Sequence, residues 1–309
     1  MSSSLVLTNV GDKSYYNRSN NNEYIRSKEL LMKGYNANEC LILPSGMHAI
    51  ILALEKSIEH LQKTNEPITI VYQKEMYCDT FRTINYLRVK HDLHEYEVPN
   101  DDNQSLKMLF RKKLKKRKVI LFIESCSNPN SIMFDFSVVK SLRKTTKDLI
   151  IVCDNTWLTY ELLNPLDYGV DLVVNSLTKY YSAGNCIAGC LLGRKSPIIT
   201  QAEKYRVIAG LHVSPIHCKY IADNMSSLKM RLKQGNESYE DIMKILNKSD
   251  ECFRVNKIPY VNNDCKLYPP MINWYMKTNT EEIVERIKKC GIPLETSYGG
   301  KYSKKEESV

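Results

Sequence analysis

Short apolar runs that end in polar residues recur along the first part of the chain. Most of them are separated by stretches long enough for a crossover helix, so the pattern predicts an α/β domain on a mostly parallel sheet. Such sheets bind ligands at the carboxyl ends of their strands, where loops and helix N-termini converge. The polar residues that close the runs are therefore candidates for a site. The four runs are Ile68 to Tyr72, Val119 to Glu124, Leu149 to Asp154 and Asp171 to Ser176.

The patterns before and after this block predict three regions. Residues 1–30 are expected to form an N-terminal arm, because Ser14 to Ser27 is too polar to supply a core of its own. Residues 31–205 form the predicted large domain, and residues 206–309 a smaller and shortened α+β domain. The elements predicted in the smaller domain are helices at Ser238 to Leu246 and Glu281 to Lys289 and a strand at Met271 to Met276.

Composition excludes several classes of protein. With 309 residues, 43% hydrophobic and 26% charged, the chain is expected to bury a sizeable core. Its apolar runs fall far short of the roughly 20 residues that span a bilayer, and residues 1–13 do not resemble a secretory leader. The ten cysteines include no Cys-x-x-Cys pair, which argues against zinc and a disulfide framework. Cys126 and Cys153 adjoin apolar runs and are expected to be buried thiols, so the sequence predicts a cytoplasmic protein without a metal site.

A net charge of +9 raises the question of nucleic-acid binding. Seven basic residues lie between Arg111 and Lys118, interrupted only by Leu114. Leu106, Phe110 and Leu114 recur at helical spacing, so the basic block is expected to be the solvated face of a helix. The block has no aromatic residue that could stack on bases. Binding of a polyanion is the less favoured alternative and would show as steeply salt-dependent affinity.

Two polar residues beyond predicted strands indicate a particular chemistry. Asp154 closes one apolar run, and Lys179 follows another in the sequence Ser176-Leu177-Thr178-Lys179. Pyridoxal phosphate needs a lysine amine for a Schiff base, a carboxylate that keeps its ring nitrogen protonated, and donors for its phosphate. Taken singly, a helix-capping aspartate and a solvated lysine are the simpler interpretations.

The segment Ser45-Gly46-Met47 offers donors for a phosphate. Gly46 permits close approach of the backbone, and a helix that begins there directs free N–H groups outward. Many helices begin with Ser-Gly for capping alone, so this signal is weak by itself.

Several short motifs occur in a fixed order over roughly residues 14 to 300. Together they resemble the cystathionine synthase and lyase family, the Cys/Met-metabolism group of fold-type-I pyridoxal-phosphate enzymes. The resemblance implies a mostly parallel central sheet with a smaller α+β C-terminal domain. The motifs are Ser45-Gly46-Met47, Glu124-Ser125 with Asn128-Pro129, Asp154-Asn155-Thr156, Asn164-Pro165-Leu166, Ser176 to Tyr180 and Ser297-Tyr298-Gly299-Gly300.

The resemblance implies a role for each motif residue. Lys179 would bond to the cofactor aldehyde and move a proton at the substrate α carbon, while Asp154 would pair with the pyridinium. Tyr77 matches the family tyrosine that stacks on the ring, its alternative being an ordinary core aromatic. Asn128 would lie by the ring and the substrate carboxylate. The implied phosphate ligands are Ser45, the backbone amides of Gly46 and Met47, and the hydroxyls of Ser176 and Thr178.

The polar arm gains a role from the same resemblance. Tyr16 and Arg18 match a family segment in which both side chains reach the cofactor phosphate of a neighbouring subunit. This implies a homodimer or homotetramer whose arms complete the neighbouring sites. The catalytic candidates are therefore Lys179, Tyr77 and Tyr16. A solvated N-terminus is the alternative.

The sequence also departs from the family pattern. The family arginine that binds the substrate carboxylate has no counterpart after Gly300, although Ser297 matches a serine that helps to hold this carboxylate. Either another arginine substitutes, or the substrate is unusual, or catalysis is impaired. Asp79 stands near Tyr77 where the family has small residues, and is expected to favour a cationic or hydrogen-bond-donating substrate group.

The sequence therefore predicts a pyridoxal-phosphate-dependent lyase or transferase of the transsulfuration type. Its expected reaction is β- or γ-elimination or γ-replacement on a cysteine-, homocysteine- or homoserine-type amino acid. The alternative is a catalytically impaired member that acts as a partner or regulatory subunit. The presence of Lys179, Asp154 and the phosphate set together favours the enzyme.

Overall fold

A seven-stranded sheet forms the centre of the computed structural model, which describes residues 20–62, 66–194, 196–248, 252–256, 273–277 and 280–290. Its strands are β1 (Glu39–Leu43), β2 (Ile68–Gln73), β3 (His94–Val98), β4 (Lys118–Glu124), β5 (Leu149–Asp154), β6 (Leu172–Ser176) and β7 (Gly189–Gly193). In space their order is β1-β7-β6-β5-β4-β2-β3. Strands β2 to β6 pair in parallel, whereas β7 is antiparallel to both of its neighbours. The predicted α/β class with a mostly parallel sheet is confirmed.

Helices cover both faces of this sheet. Alternate residues of β4 separate the two sides: Leu121 packs in the same cluster as Leu31, whereas Phe122 packs in the same cluster as Leu54. Because both faces are buried, central strands such as β4 and β5 are nearly continuously apolar rather than alternating. The helices are α1 (Asn22–Tyr35), α2 (Gly46–Leu61), α3 (Cys78–His91), α4 (Asn103–Leu109), α5 (Val139–Thr145), α6 (Thr159–Leu162), α7 (Pro197–Ile208), α8 (Pro215–Met225), α9 (Leu228–Leu246) and α10 (Thr280–Lys289).

The C-terminal part contains the elements that the sequence predicted. Helices α9 and α10 include the two predicted helices, and β9 (Asn273–Met276) lies within the predicted strand. Strand β9 pairs antiparallel with β8 (Cys252–Asn256) in a second, two-stranded sheet. Helix α7 runs through the predicted boundary at residue 205, and the division into three regions stays a prediction.

Part of the predicted arm folds as a helix. Helix α1 begins at Asn22, and the Asn21 side chain caps it by accepting a hydrogen bond from the Tyr24 backbone N–H at 2.8 Å. Tyr24 and Ser27 are buried, and the Ser27 hydroxyl donates to the Cys218 carbonyl at 2.6 Å. The residues before Asn20 lie outside the described residues.

The basic block follows the prediction with one exception. Helix α4 continues as a π-helical turn over Phe110–Leu114, with Leu106, Phe110 and Leu114 buried and the basic side chains from Arg111 to Arg117 exposed. Lys118 is the exception, because it is the first residue of β4 and is only 6% exposed. Its ammonium group donates to the Leu61 carbonyl at 2.6 Å. The block is therefore the solvated face of a helix, as expected.

Eight cysteines of the described ranges are free thiols, namely Cys40, Cys78, Cys126, Cys153, Cys186, Cys190, Cys218 and Cys290. Cys126 and Cys153 are buried, as predicted. Within the ranges given above, no helix combines the length and the apolar character that crossing a membrane requires.

Candidate functional site

The ends of three parallel strands bring polar side chains together at one edge of the sheet. Glu124 at the end of β4 is the register partner of Asp154 at the end of β5. Asp154 pairs in turn with Val174 of β6, two residues before Ser176. The sheet edge at which the sequence predicts a site thus contains three neighbouring strand ends with polar side chains.

Helix α2 begins directly on this edge because two glycines leave room for it. A Cβ on Gly46 would lie 3.0 Å from the Ser176 Cβ and 3.1 Å from the Ser176 Cα. A Cβ on Gly189, the first residue of β7, would lie 2.2 Å from the Ser45 carbonyl oxygen. The start of the helix therefore lies in backbone contact with β6 and β7, an approach that side chains would block.

The first turn of α2 has the donors of an anion site. The Ser45 hydroxyl accepts a hydrogen bond from the His48 N–H at 3.1 Å, and the Ser45 carbonyl accepts one from Ala49 at 3.2 Å. The N–H groups of Gly46 and Met47 come earlier in the helix, where no intrahelical acceptor exists. They can donate to an anion that sits above Ser176, and the helix dipole favours a negative charge there.

Thr156 joins the ends of β5 and β6. Its hydroxyl oxygen accepts a hydrogen bond from the Ser176 N–H at 2.8 Å, and its own N–H donates to the Asp154 carboxylate at 2.9 Å. Asn155 between them is fully buried and donates to the Tyr35 hydroxyl at 3.0 Å. In the sequence, the signal for this contact is the position of Thr156 two residues after a strand-ending carboxylate.

Lys179 lies in the turn that follows β6 and is half-buried. The turn folds back on itself, since the Gly184 N–H donates to the carbonyls of Thr178 at 3.1 Å and Lys179 at 3.2 Å. Lys179 thus lies only three residues beyond Ser176, past the same sheet edge as Asp154. The Thr178 hydroxyl donates to the Ala188 carbonyl at 3.2 Å, so a phosphate there would have to replace this acceptor.

Glu124 organises the opposite side of the site. Its carboxylate accepts hydrogen bonds from the Tyr77 N–H at 2.7 Å and from the Asn128 N–H at 3.1 Å. One buried carboxylate thus fixes the backbone of two candidate residues that are far apart in sequence. Tyr77 is 38% exposed and is therefore not an ordinary core aromatic, whereas its stacking role stays a prediction.

Asp79 has partners within the protein. Its carboxylate accepts hydrogen bonds from the Tyr77 hydroxyl at 3.1 Å and from the Arg82 guanidinium at 2.7 Å. The positive charge of Arg82 offsets the negative charge on which the predicted substrate preference depends. Preference for a cationic substrate group stays a prediction, and the observed role of Asp79 is to hold the Tyr77 hydroxyl.

Burial shifts the titration of the two strand-end carboxyls. Removal from water raises the pKa of Glu124 well above its ordinary value, and the charge of Asp154 raises it further. Burial also raises the pKa of Asp154, while hydrogen bonds from Thr156 oppose this shift. The pair is therefore a place where a nearby cation is strongly favoured.

These pKa shifts predict how the stability of the cofactor-free protein depends on pH. Between the ordinary and the raised pKa values the native state holds more protons than the unfolded state, so the free energy of unfolding falls as pH rises. We expect this fall as pH rises above the ordinary carboxyl pKa values, and a shallower fall in Asp154→Asn, which also removes the charge that acts on Glu124. Urea unfolding at several pH values measures both slopes.

A matched variant serves as the control for this pH dependence. Asp148 is an exposed aspartate at the opposite end of β5, and Asp148→Asn should keep the wild-type slope. Equal slopes for wild type and Asp154→Asn would contradict the assignment of the pH dependence to the carboxyl pair.

Three candidate residues lie outside the described residues, namely Tyr16, Arg18 and Ser297. Their roles stay predictions. Within the described ranges, no group of three or more His, Cys, Asp or Glu side chains is arranged to hold a metal ion.

Known proteins resemble this chain in sequence. Residues 3–268 match the family model of the Cys/Met metabolism PLP-dependent enzymes. A cystathionine beta-lyase of Schizosaccharomyces pombe is 27% identical over 235 residues, which cover 75% of this chain and 57% of the relative. An L-methionine gamma-lyase of Treponema denticola is 27% identical over 217 residues, covering 69% and 51%. The chain thus spans little more than half the length of these curated relatives.

Solved structures resemble it in fold. A cystathionine gamma synthase from Xanthomonas oryzae pv. oryzae, in complex with cystathionine, superposes with a TM-score of 0.80 at 23% identity, over 97% of this chain and 78% of that one. The structure of metB from Corynebacterium glutamicum gives a TM-score of 0.77 at 20% identity, over 96% and 78%. These neighbours confirm the predicted fold-type-I architecture. Together with the match over residues 3–268, they show that the chain belongs to the Cys/Met metabolism family of pyridoxal-phosphate-dependent enzymes.

Proposed function

We propose that this chain binds pyridoxal phosphate and catalyses elimination or replacement of a β or γ substituent on a cysteine-, homocysteine- or homoserine-type amino acid. The observation that carries the proposal is the convergence of Asp154, the first turn of α2 and the Lys179 turn at one edge of the sheet. Names of the matched relatives support the substrate class, since they refer to cystathionine and to methionine.

The residues at this edge fit the cofactor. The N–H groups of Gly46 and Met47, with the Ser176 hydroxyl, would hold the phosphate. A Cβ on Gly46 would narrow the space between Gly46 and Ser176. Asp154 would face the ring nitrogen, and its raised pKa reflects a buried carboxyl whose ionised form gains from a positive charge beside it. When bound there, pyridoxal phosphate would withdraw electrons from the substrate α carbon.

The protein groups would then divide the remaining tasks. The Lys179 amine would hold the cofactor covalently and move the proton at the substrate α carbon. Thr156 orients the Asp154 carboxylate by its N–H, at 2.9 Å. Asn128, whose N–H is bound to Glu124, would present its side-chain amide to the substrate carboxylate. Tyr77 would cover one face of the ring.

The proposal extends to assembly and location. Tyr16 and Arg18 would reach the phosphate of a neighbouring subunit in a homodimer or homotetramer, and Ser297 would help to hold the substrate carboxylate. The support for these roles is the family resemblance of the motifs. Buried free thiols such as Cys126 and Cys153 support a reducing, cytoplasmic setting. No observation on the described residues favours the alternative of an impaired regulatory subunit.

Covalent mapping tests the proposal. We expect the purified protein to turn yellow with pyridoxal phosphate, and borohydride reduction followed by peptide mass spectrometry to place a pyridoxyl group on Lys179. The variant Lys144→Ala removes an exposed lysine near the opposite end of β5 and should keep the adduct. An adduct on another lysine, or none at saturating cofactor, would overturn the assignment.

A substrate panel then identifies the reaction. Cystathionine, cysteine, methionine and O-acylhomoserines are added singly to the loaded protein, and the cofactor spectrum and released ammonia are recorded. Elimination releases ammonia from one substrate alone, whereas replacement needs a second, nucleophilic substrate and releases none. Absence of any spectral change with the whole panel would contradict an enzymatic role toward these amino acids.

A further inference from the structure

The loop after β4, residues 125–132, is held by the carboxylate of Glu75, a residue outside the candidate site residues. The Glu75 carboxylate accepts hydrogen bonds from the Asn130 N–H at 2.9 Å, the Asn130 side-chain amide at 2.5 Å and the Ser127 hydroxyl at 2.5 Å. Within the described residues, Glu75 forms no ion pair with a lysine or arginine. Its described side-chain hydrogen bonds therefore all serve one loop.

Glu75 is itself fixed to a neighbouring strand. Its N–H donates to the Asn100 side-chain oxygen at 2.8 Å, and its carbonyl accepts from the Asn100 amide nitrogen at 2.8 Å. Asn100 is buried and follows β3 closely. The backbone of Glu75 is thus clamped, so its carboxylate offers the loop a fixed anchor.

Asn128 lies between two anchored positions of this loop. Ser127 and Asn130 bind Glu75, and the Asn128 N–H binds Glu124 at 3.1 Å. The loop is also closed internally, since the Ser127 N–H donates to the Ile132 carbonyl at 2.9 Å. Two carboxylates from different strand ends therefore determine the position of the Asn128 backbone, from which its side chain extends.

A tyrosine from the second sheet completes the arrangement. The Tyr275 hydroxyl, on β9, donates to the side-chain oxygen of Asn130, whose amide nitrogen donates to Glu75. Both ends of the Asn130 amide are thus engaged, which fixes its orientation. The β8–β9 sheet is joined in this way to the loop that carries Asn128.

We propose that Glu75 and Tyr275 are positioning residues that act through Asn130 to place Asn128 for substrate binding. The inference rests on the proposed function, in which Asn128 contacts the substrate carboxylate. Neither residue lies among the groups assigned to the phosphate or the ring nitrogen. Because Asn128 would lie by the ring as well as by the substrate carboxylate, their removal should weaken substrate binding more than cofactor binding.

The first test needs no ligand. Amide hydrogen exchange is compared in wild type, Glu75→Gln and Tyr275→Phe, and we expect exchange to be about twofold to tenfold faster in the peptide over residues 125–132, with β5 unchanged. Glu75→Gln puts an amide donor opposite the Asn130 amide donor, while Tyr275→Phe removes only a hydroxyl. The matched controls, Glu97→Gln and Tyr86→Phe, change exposed side chains and should exchange as wild type. Wild-type exchange rates over residues 125–132 in Tyr275→Phe would overturn the proposal. This variant decides the question alone if Glu75→Gln does not fold.

The second test uses the loaded protein. Cofactor affinity should stay within about twofold of wild type, while KM for L-cystathionine or L-methionine rises about twofold to tenfold with kcat nearly unchanged. Because both variants act through Asn130, the double variant should weaken binding by less than the product of the single effects. A faster-exchanging loop with unchanged KM, or multiplicative effects in the double variant, overturns the positioning role. A wild type that responds to no amino acid defeats the proposed function instead, and hydrogen exchange then decides alone whether Glu75 and Tyr275 hold the loop.

Discussion

The variant Lys179→Ala is expected to form no pyridoxyl adduct on borohydride reduction, and its turnover should be at least about 10³-fold lower than that of the wild type. Removing the amine removes both the covalent attachment and the proton-transfer group, and acid–base catalysis alone contributes about 10²- to 10⁴-fold. The fold should be unaffected, because Lys179 lies in a turn beyond β6 rather than in the core. Turnover of the best substrate from the panel is the measurement.

The control for this loss is again Lys144→Ala, which should retain wild-type turnover. Pyridoxal phosphate should still bind to Lys179→Ala without a covalent bond, since the first turn of α2 and Asp154 are intact. Turnover of Lys179→Ala within about tenfold of wild type would contradict a catalytic role for the amine.

The variant Gly189→Ala is expected to lower the free energy of unfolding by about 3 kcal/mol and to weaken cofactor binding as well. The added Cβ would lie 2.2 Å from the Ser45 carbonyl oxygen and 2.5 Å from the Gly46 nitrogen. Both are backbone atoms, so either α2 or β7 must move. Urea unfolding measures the loss of stability, and a titration with pyridoxal phosphate measures the loss of affinity.

Gly210 offers a matched comparison for this steric effect. A Cβ there would meet nothing within 4 Å, although the φ of +67° is a conformation that favours glycine. Gly210→Ala should therefore cost only about 1 kcal/mol and leave cofactor affinity unchanged. Equal losses of unfolding free energy in the two variants would show that contact with the start of α2 does not explain the effect of a side chain at position 189.

Strands buried on both faces were the elements best predicted from sequence. The four apolar runs coincide with β2, β4, β5 and β6 to within one residue at each end. Strand β3 was missed because it is an edge strand with mostly exposed side chains, and its sequence His-Glu-Tyr-Glu-Val has no apolar run. Strands β1 and β7 were also missed, although each is as long as β6, because only the three-dimensional arrangement reveals that they pair with each other.

The candidate site was predictable in part. Asp154 and Ser176 close apolar runs, so their place at the sheet edge follows from the parallel topology. The contacts of Glu75 and Glu124, and the hydrogen bond from Ser176 to Thr156, were not predictable, because they depend on register and on pairs distant in sequence, such as Tyr77 with Glu124. The pairing of Asp79 with Arg82 spans a single helical turn and was available from their spacing.

The reversed direction of β7 has a consequence for the lysine. Strand β6 ends with Ser176 and β7 starts with Gly189, and these two residues are paired across the sheet. The loop that carries Lys179 therefore leaves and re-enters the sheet at adjacent residues. Because both ends of this loop are fixed, the backbone entropy of Lys179 is restricted, and the reach of its amine is set by side-chain rotamers. Inserting or deleting residues in this loop would shift the amine relative to the strand ends even where the sheet itself is undisturbed.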